Sequence, residues 1–89
     1  MNSITTKEFR EALGRLPAPV QAQADREWQR FRSNPGHPSL AFKPVRRDRE
    51  VWSVRIGLAY RALCSREGDQ LTWFWIGSHT EYDHILRQE

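Results

Sequence analysis

Two periodicities divide the chain. Before residue 34 apolar side chains recur every three to four positions, and from Leu40 onward they recur every second position. Phe9, Ala12, Leu13 and Leu16 stand at i, i+3, i+4 and i+7, the stripe of an amphipathic helix. Thr5-Thr6-Lys7-Glu8 ahead of it reads as a capping box, with Thr5 as the cap and Ile4 and Phe9 as a hydrophobic staple. Pro17 stops this helix, and Pro19 suits the first turn of a second one whose core side carries Val20, Ala24, Trp28 and Phe31. Asn34-Pro35-Gly36-His37-Pro38 cannot remain helical. The pattern therefore predicts a helical hairpin at the front of the chain.

The remainder predicts strands. Leu40-Ala41-Phe42-Lys43 reads as a short one at an edge or a bulge, because Pro44 cannot donate to a ladder. Arg46 to Glu50 forms a polar turn. Val51 to Ile56 sets Trp52, Val54 and Ile56 against Ser53 and Arg55, so Arg55 leaves the sheet on the face away from Trp52. After a break at Gly57, Ala59 to Ser65 is a third strand, and Arg66 to Gln70 is a turn. The fourth strand runs from Leu71 to Ile76, with Leu71, Trp73 and Trp75 on one face and Phe74 and Ile76 on the other, which marks it as central and covered on both sides. Ser78-His79-Thr80-Glu81 caps a last short helix carrying Tyr82, Ile85 and Leu86. The expected fold class is α+β: a helical hairpin on a four-stranded, mainly antiparallel sheet, then a short C-terminal helix, in one domain over residues 1–89.

Composition narrows the function. An 89-residue chain with four Trp is small but rich enough in apolar surface to fold. No apolar run approaches the ~20 residues that span a bilayer, and the N-terminus lacks a signal pattern, so the expectation is a soluble cytoplasmic protein with no membrane partner. The single Cys64 sits in an apolar run and reads as a buried, reduced thiol. The net charge of +3 is unevenly spread: residues 42–66 hold seven basic and two acidic side chains, whereas residues 67–89 hold one and five. Twelve of the fourteen basic residues are Arg, whose forked donors suit phosphate. A nucleic-acid backbone fits this balance, and Arg46, Arg47 and Arg49 either grip it or solvate a turn.

The three His and one Cys match no metal-ligand spacing, and no phosphate or dinucleotide glycine signature is present, so neither metal nor cofactor is expected. RNA can be cut without either when its 2′-hydroxyl attacks the adjacent 3′-phosphate, a reaction that needs proton-transfer groups and cations around the developing dianion. Arg55 and Arg61 on neighbouring strands can supply the cations. His79, at the end of the fourth strand, can move a proton, and Tyr82 lies one turn away. Trp52, Trp73 and Trp75 suit either core packing or base stacking.

Trp52-Ser53-Val54-Arg55-Ile56-Gly57, then Tyr60-Arg61-Ala62-Leu63, then Trp73-Phe74-Trp75-Ile76-Gly77-Ser78-His79-Thr80-Glu81-Tyr82-Asp83 resemble, in order and spacing, the RelE/ParE superfamily of toxins from bacterial type II toxin–antitoxin systems. The resemblance covers nearly the whole chain. It implies a metal-independent mRNA endoribonuclease acting on the ribosome and leaving a 2′,3′-cyclic phosphate, with a cognate antitoxin covering the basic face. It implies Arg61 as the phosphate-stabilising arginine, Arg55 on a strand position for RNA binding or proton abstraction, and His79 as the acid. Lys43 takes an RNA-binding position and Tyr82 a further catalytic one. Ser53 stands where RelE-like toxins often carry a second lysine. The same superfamily also implies two alternatives, a ParE-like inhibitor of DNA gyrase that does no chemistry and a non-catalytic antitoxin-binding module.

Overall fold

The computed structural model describes residues 1–45 and 50–87. In chain order these form β1 (Asn2–Thr5), α1 (Lys7–Gly14), α2 (Ala18–Ser33), a 3-10 turn (Pro38–Leu40), β2 (Lys43–Pro44), β3 (Val51–Ile56), β4 (Tyr60–Glu67), β5 (Gln70–Ser78) and α3 (His79–Arg87). The sheet has five strands in the order β1-β5-β4-β3-β2. All pairs are antiparallel except β1 with β5. The α+β class and the helical hairpin match the expectation, and the strand count does not.

The additional strand is β1. Its four residues are mostly polar and exposed, so no alternation marks them, and its parallel partner β5 lies almost seventy residues away. The pairing also moves the helix cap. Thr5 stays extended opposite Trp73, Thr6 N–H donates to the Trp73 carbonyl at 3.0 Å, and Thr6 Oγ1 accepts from Phe9 N–H at 3.1 Å. Thr6, not Thr5, is the cap. Ile4 is 55% exposed, and Arg10 donates to the Thr5 carbonyl and hydroxyl.

Two other strand expectations shift. Leu40 and Ala41 do not belong to a strand: Leu40 closes the 3-10 turn with no exposed surface, and Ala41 caps it at φ 45, so β2 is only Lys43–Pro44. The second shift lies in β5, where the register slips at Leu63/Cys64 so that Trp73 faces Cys64, Trp75 faces Leu63, and Phe74 is the extra residue. The bulge reverses the alternation. Leu71, Trp73 and Ile76 join the core on the helix-covered face, while Trp75 falls on the opposite face and packs near Tyr82, and Phe74 is 38% exposed. β4, not β5, is the middle strand.

Phe31 of α2 ties the helix layer to the sheet through edge-to-face contacts with Trp73 at 5.8 Å and Phe42 at 4.9 Å, and Trp28 stacks on its other side. Burial pushes the Cys64 thiol from 9.0 up to about 12. The native thiol thus keeps its proton where the unfolded one loses it, so its stabilising contribution is complete below pH 9 and declines as the pH rises toward 12. Denaturation profiles between these limits are expected to lose part of their downward slope in Cys64→Ala, and native Cys64 is expected to resist thiol reagents until the chain unfolds. Gly57 turns the β3–β4 connection at φ +63, and a Cβ there would strike the Gln23 amide. Gly57→Ala is expected to cost about 1–2 kcal/mol in urea denaturation.

Candidate functional site

Alternation distributes the strand residues between two environments. On β3, Val54 and Ile56 enter the core while Ser53 and Arg55 take the other face; on β4, Ala62 and Cys64 enter it while Arg61 and Leu63 do not. The register then sets Arg55 opposite Arg61, and Arg61 opposite Gly77. α3 begins where β5 ends. Its cap is reciprocal: Ser78 Oγ accepts from Glu81 N–H at 3.1 Å and Glu81 Oε1 accepts from Ser78 N–H at 3.0 Å, which holds the Glu81 carboxyl below its usual range.

This geometry gathers Lys43, Arg55, Arg61, His79 and Tyr82, together with Ala41 and Ser53, around one depression of about 150 Å³. Those five are all the candidate residues that fall within the described chain. Arg46, Arg47 and Arg49 lie outside the described residues. Ser53 is 4% exposed and forms part of the wall.

The two arginines dominate the electrostatics. Like charges directly across an antiparallel pair repel, and among the described residues neither Arg55 nor Arg61 makes an ion pair. Burial lowers the Arg61 pKa, the Arg55 charge lowers it further, and Tyr82 and Asp83 act in the opposite sense. Arg61 is aimed by backbone: its Nη1 donates to the Tyr60 carbonyl at 2.7 Å, with longer contacts to Gly57 and Leu58. Arg55 Nε is buried with no acceptor among the described residues. Such a pair is disfavoured until an anion enters between the two guanidinium groups.

Two features escaped the sequence reading. His79 Nε2 lies 3.2 Å from Asp83 Oδ2, one turn along α3, so a carboxylate orients the imidazole. The i, i+4 spacing was the available signal. Trp75 lies across Gly77, where an added Cβ would fall 2.6 Å from Trp75 Cζ2, and its ring centroid is 6.5 Å from that of Tyr82. The bulge at Phe74 put it there, and alternation alone assigned it to the other face. Among the described residues no three His, Cys, Asp or Glu side chains are grouped as metal ligands would be.

A helical hairpin and a short final helix accompany a five-stranded sheet that carries a strongly cationic hollow. Residues 18–84 match the ParE-like toxin domain family, and the chain belongs to it, within the RelE/ParE superfamily. The fold is similar to RelE in the RelB–RelE antitoxin–toxin complex of Methanococcus jannaschii, at TM-score 0.71 and 15% identity over 92% of this chain and 98% of that one. It is also similar to the RelBE2 toxin–antitoxin complex of Mycobacterium tuberculosis, at TM-score 0.67 and 21% identity over 88% and 96%. The YoeB/ParE toxin of Agrobacterium tumefaciens gives TM-score 0.65 and 18% identity over 89% and 99%. No curated protein matches the chain in sequence. No helix among the described residues is long and apolar enough to cross a membrane.

Replacing Arg55 by Met keeps the stem but removes the repulsion and the orphaned Nε. Arg55→Met is expected to raise stability by about 1 kcal/mol in urea denaturation while weakening binding of phosphate or RNA.

Proposed function

We propose that the protein is a metal-independent endoribonuclease that cuts mRNA on the ribosome, the toxin of a toxin–antitoxin pair. The observation that carries this reading is the cross-strand pair Arg55 and Arg61, opposed without a counter-ion among the described residues and ringed by Lys43, His79 and Tyr82. A phosphate seated there takes two guanidinium forks, an arrangement that grows stronger as attack by the 2′-hydroxyl adds charge to the phosphorus oxygens. Arg61, fixed by backbone carbonyls, stabilises the dianion, and Arg55 holds a non-bridging oxygen. His79, oriented by Asp83, delivers a proton to the departing 5′-oxygen while the 2′-hydroxyl gives up its proton to solvent water, leaving a 2′,3′-cyclic phosphate and a free 5′-hydroxyl. Tyr82 borders the reacting group, and Lys43 on the rim draws in the flanking backbone. DNA lacks the attacking hydroxyl and is spared by chemistry.

The partner that silences such a site is an antitoxin whose acidic residues neutralise the arginines. Solved relatives recorded with antitoxins support that pairing. On this reading the protein works in the cytoplasm, where ribosomes present the message. A second reading, inhibition of DNA gyrase without catalysis, draws on the match to the ParE-like family.

Purified translation on a defined message, with and without ribosomes, separates the two. New 5′ ends that require ribosomes are expected, with cleavage falling at least about 100-fold in His79→Ala and in Arg61→Ala. Intact message together with lost gyrase supercoiling would establish the second reading instead.

A further inference from the structure

One wall of the depression does not come from the central strands. Leu40 and Ala41 are neighbours in sequence, yet Leu40 is fully covered in the core on the helix side while Ala41 lines the depression on the other face. The chain therefore passes round the β2 edge of the sheet here, and it then delivers Lys43 to the same depression. The passage is strained. Ala41 sits at φ 45 and ψ 45, a left-handed conformation that a residue with a Cβ holds only where its surroundings over-determine it. Downstream, β2 offers the register positions Lys43–Ser53 and Pro44–Trp52, and Pro44 has no N–H to donate. Upstream, the constraint comes from side chains.

His37 caps the 3-10 turn. Ser39 N–H donates to His37 Nδ1 at 3.2 Å, and Ser39 Oγ lies 2.9 Å from the same nitrogen. Because a backbone N–H can only donate, Nδ1 is the acceptor, and the ring carries its proton on Nε2. Ser39 Oγ accepts in turn from Arg30 Nη1 at 2.9 Å, and Arg30 also meets Glu27 at 2.9 Å. Ser39 is thus clamped between the imidazole and α2. Leu40 N–H donates to the His37 carbonyl at 3.1 Å and Ala41 N–H to the Pro38 carbonyl at 3.2 Å, which closes the turn. On the reading of the depression as an RNA site, we propose that His37 is a positioning residue: acting through Ser39, it locks the turn that carries Ala41 and Lys43 to the arginine pair. His37 does not itself line the depression, so its influence passes through this segment.

Three substitutions separate the acceptor from the bulk of the ring. His37→Asn places an oxygen at the reach of Nδ1, His37→Leu has no acceptor, and His37→Gln holds one a bond further out. The probe is a 2′-O-methyl hexanucleotide, which cannot be cut, added to the full chain at fixed ionic strength. His37→Leu is expected to weaken its binding on the order of fivefold, and His37→Asn to keep it within about twofold. In Lys43→Ala, the further change His37→Leu should have little effect, because the two act through one contact. In the ribosome assay the loss is expected in KM, with kcat within about twofold, since Arg61 and His79 stand on β4 and α3. The amide resonances of Ala41 and Lys43 should move in His37→Leu and hold their places in His37→Asn. If His37→Leu does not fold, His37→Gln takes its place. Unchanged binding in a folded His37→Leu, equal weakening by His37→Asn and His37→Leu, or the full loss persisting in Lys43→Ala would each overturn the proposal. An unaltered chain that does not bind the oligonucleotide sinks the RNA reading instead; the amide resonances then decide the positioning, and overturn it if they stay in place in His37→Leu.

Discussion

The register of β4 between its two neighbours governs the molecule. Because side chains alternate along a strand, one pairing decides which residues enter the helix-covered core and which take the opposite face, and a slip of one residue would exchange the two sets. Here Ala62 and Cys64 seal the helix-covered face while Arg61 and Leu63 take the other, and β3 follows in step with Val54 and Ile56 inward and Ser53 and Arg55 outward. On the β5 side the ladder can remain in phase at both ends only by ejecting Phe74. That single extra residue keeps both Trp73 and Ile76 in the core, and it delivers Trp75 and Gly77 to the face where α3 begins. The core and the depression are thus two consequences of one alignment.

The depression is held at some expense to stability. Two arginines face each other across a strand pair, one with its Nε buried and unpartnered among the described residues, and Ala41 beside them adopts a left-handed backbone at φ 45. Repulsion, desolvation and backbone strain each cost on the order of 1 kcal/mol. Binding an anion relieves the first two. A region that is unfavourable when empty and favourable around a doubly charged phosphorus is suited to transition-state stabilisation, and it is suited equally to capture by an acidic partner chain.

On the opposite face aromatic rings join the helix layer to the sheet. Phe31 anchors α2 through Trp73 and Phe42, and Phe9 brings α1 to Trp73, while Val54 and Ile76 lie buried beneath the hairpin. Large aromatic rings bridge the layers at their ends and leave room between. Trp73 is therefore the keystone of that contact, and its indole N–H has no acceptor among the described residues.

Local chemistry was legible from the residues in order. The stripe of Phe9, Leu13 and Leu16 marked α1, the proline and glycine cluster after Ser33 ended α2, and Ser78 with Glu81 capped α3, because each depends on neighbours within a turn or two. The candidate residues were largely legible as well: Arg55 and Arg61 stand on neighbouring strands whose alternation sends them the same way, and His79 and Tyr82 open the helix that follows β5. What tertiary structure alone decided involves partners distant in sequence. β1 exists because β5 offers it a parallel edge, and that pairing moved the α1 cap from Thr5 to Thr6. Leu40 turned away from strand geometry to fill the core, and the bulge at Phe74 redirected Trp75. No periodicity encodes such events, since a strand's face is settled by the strand it meets, and the sequence of one does not contain the register of the other.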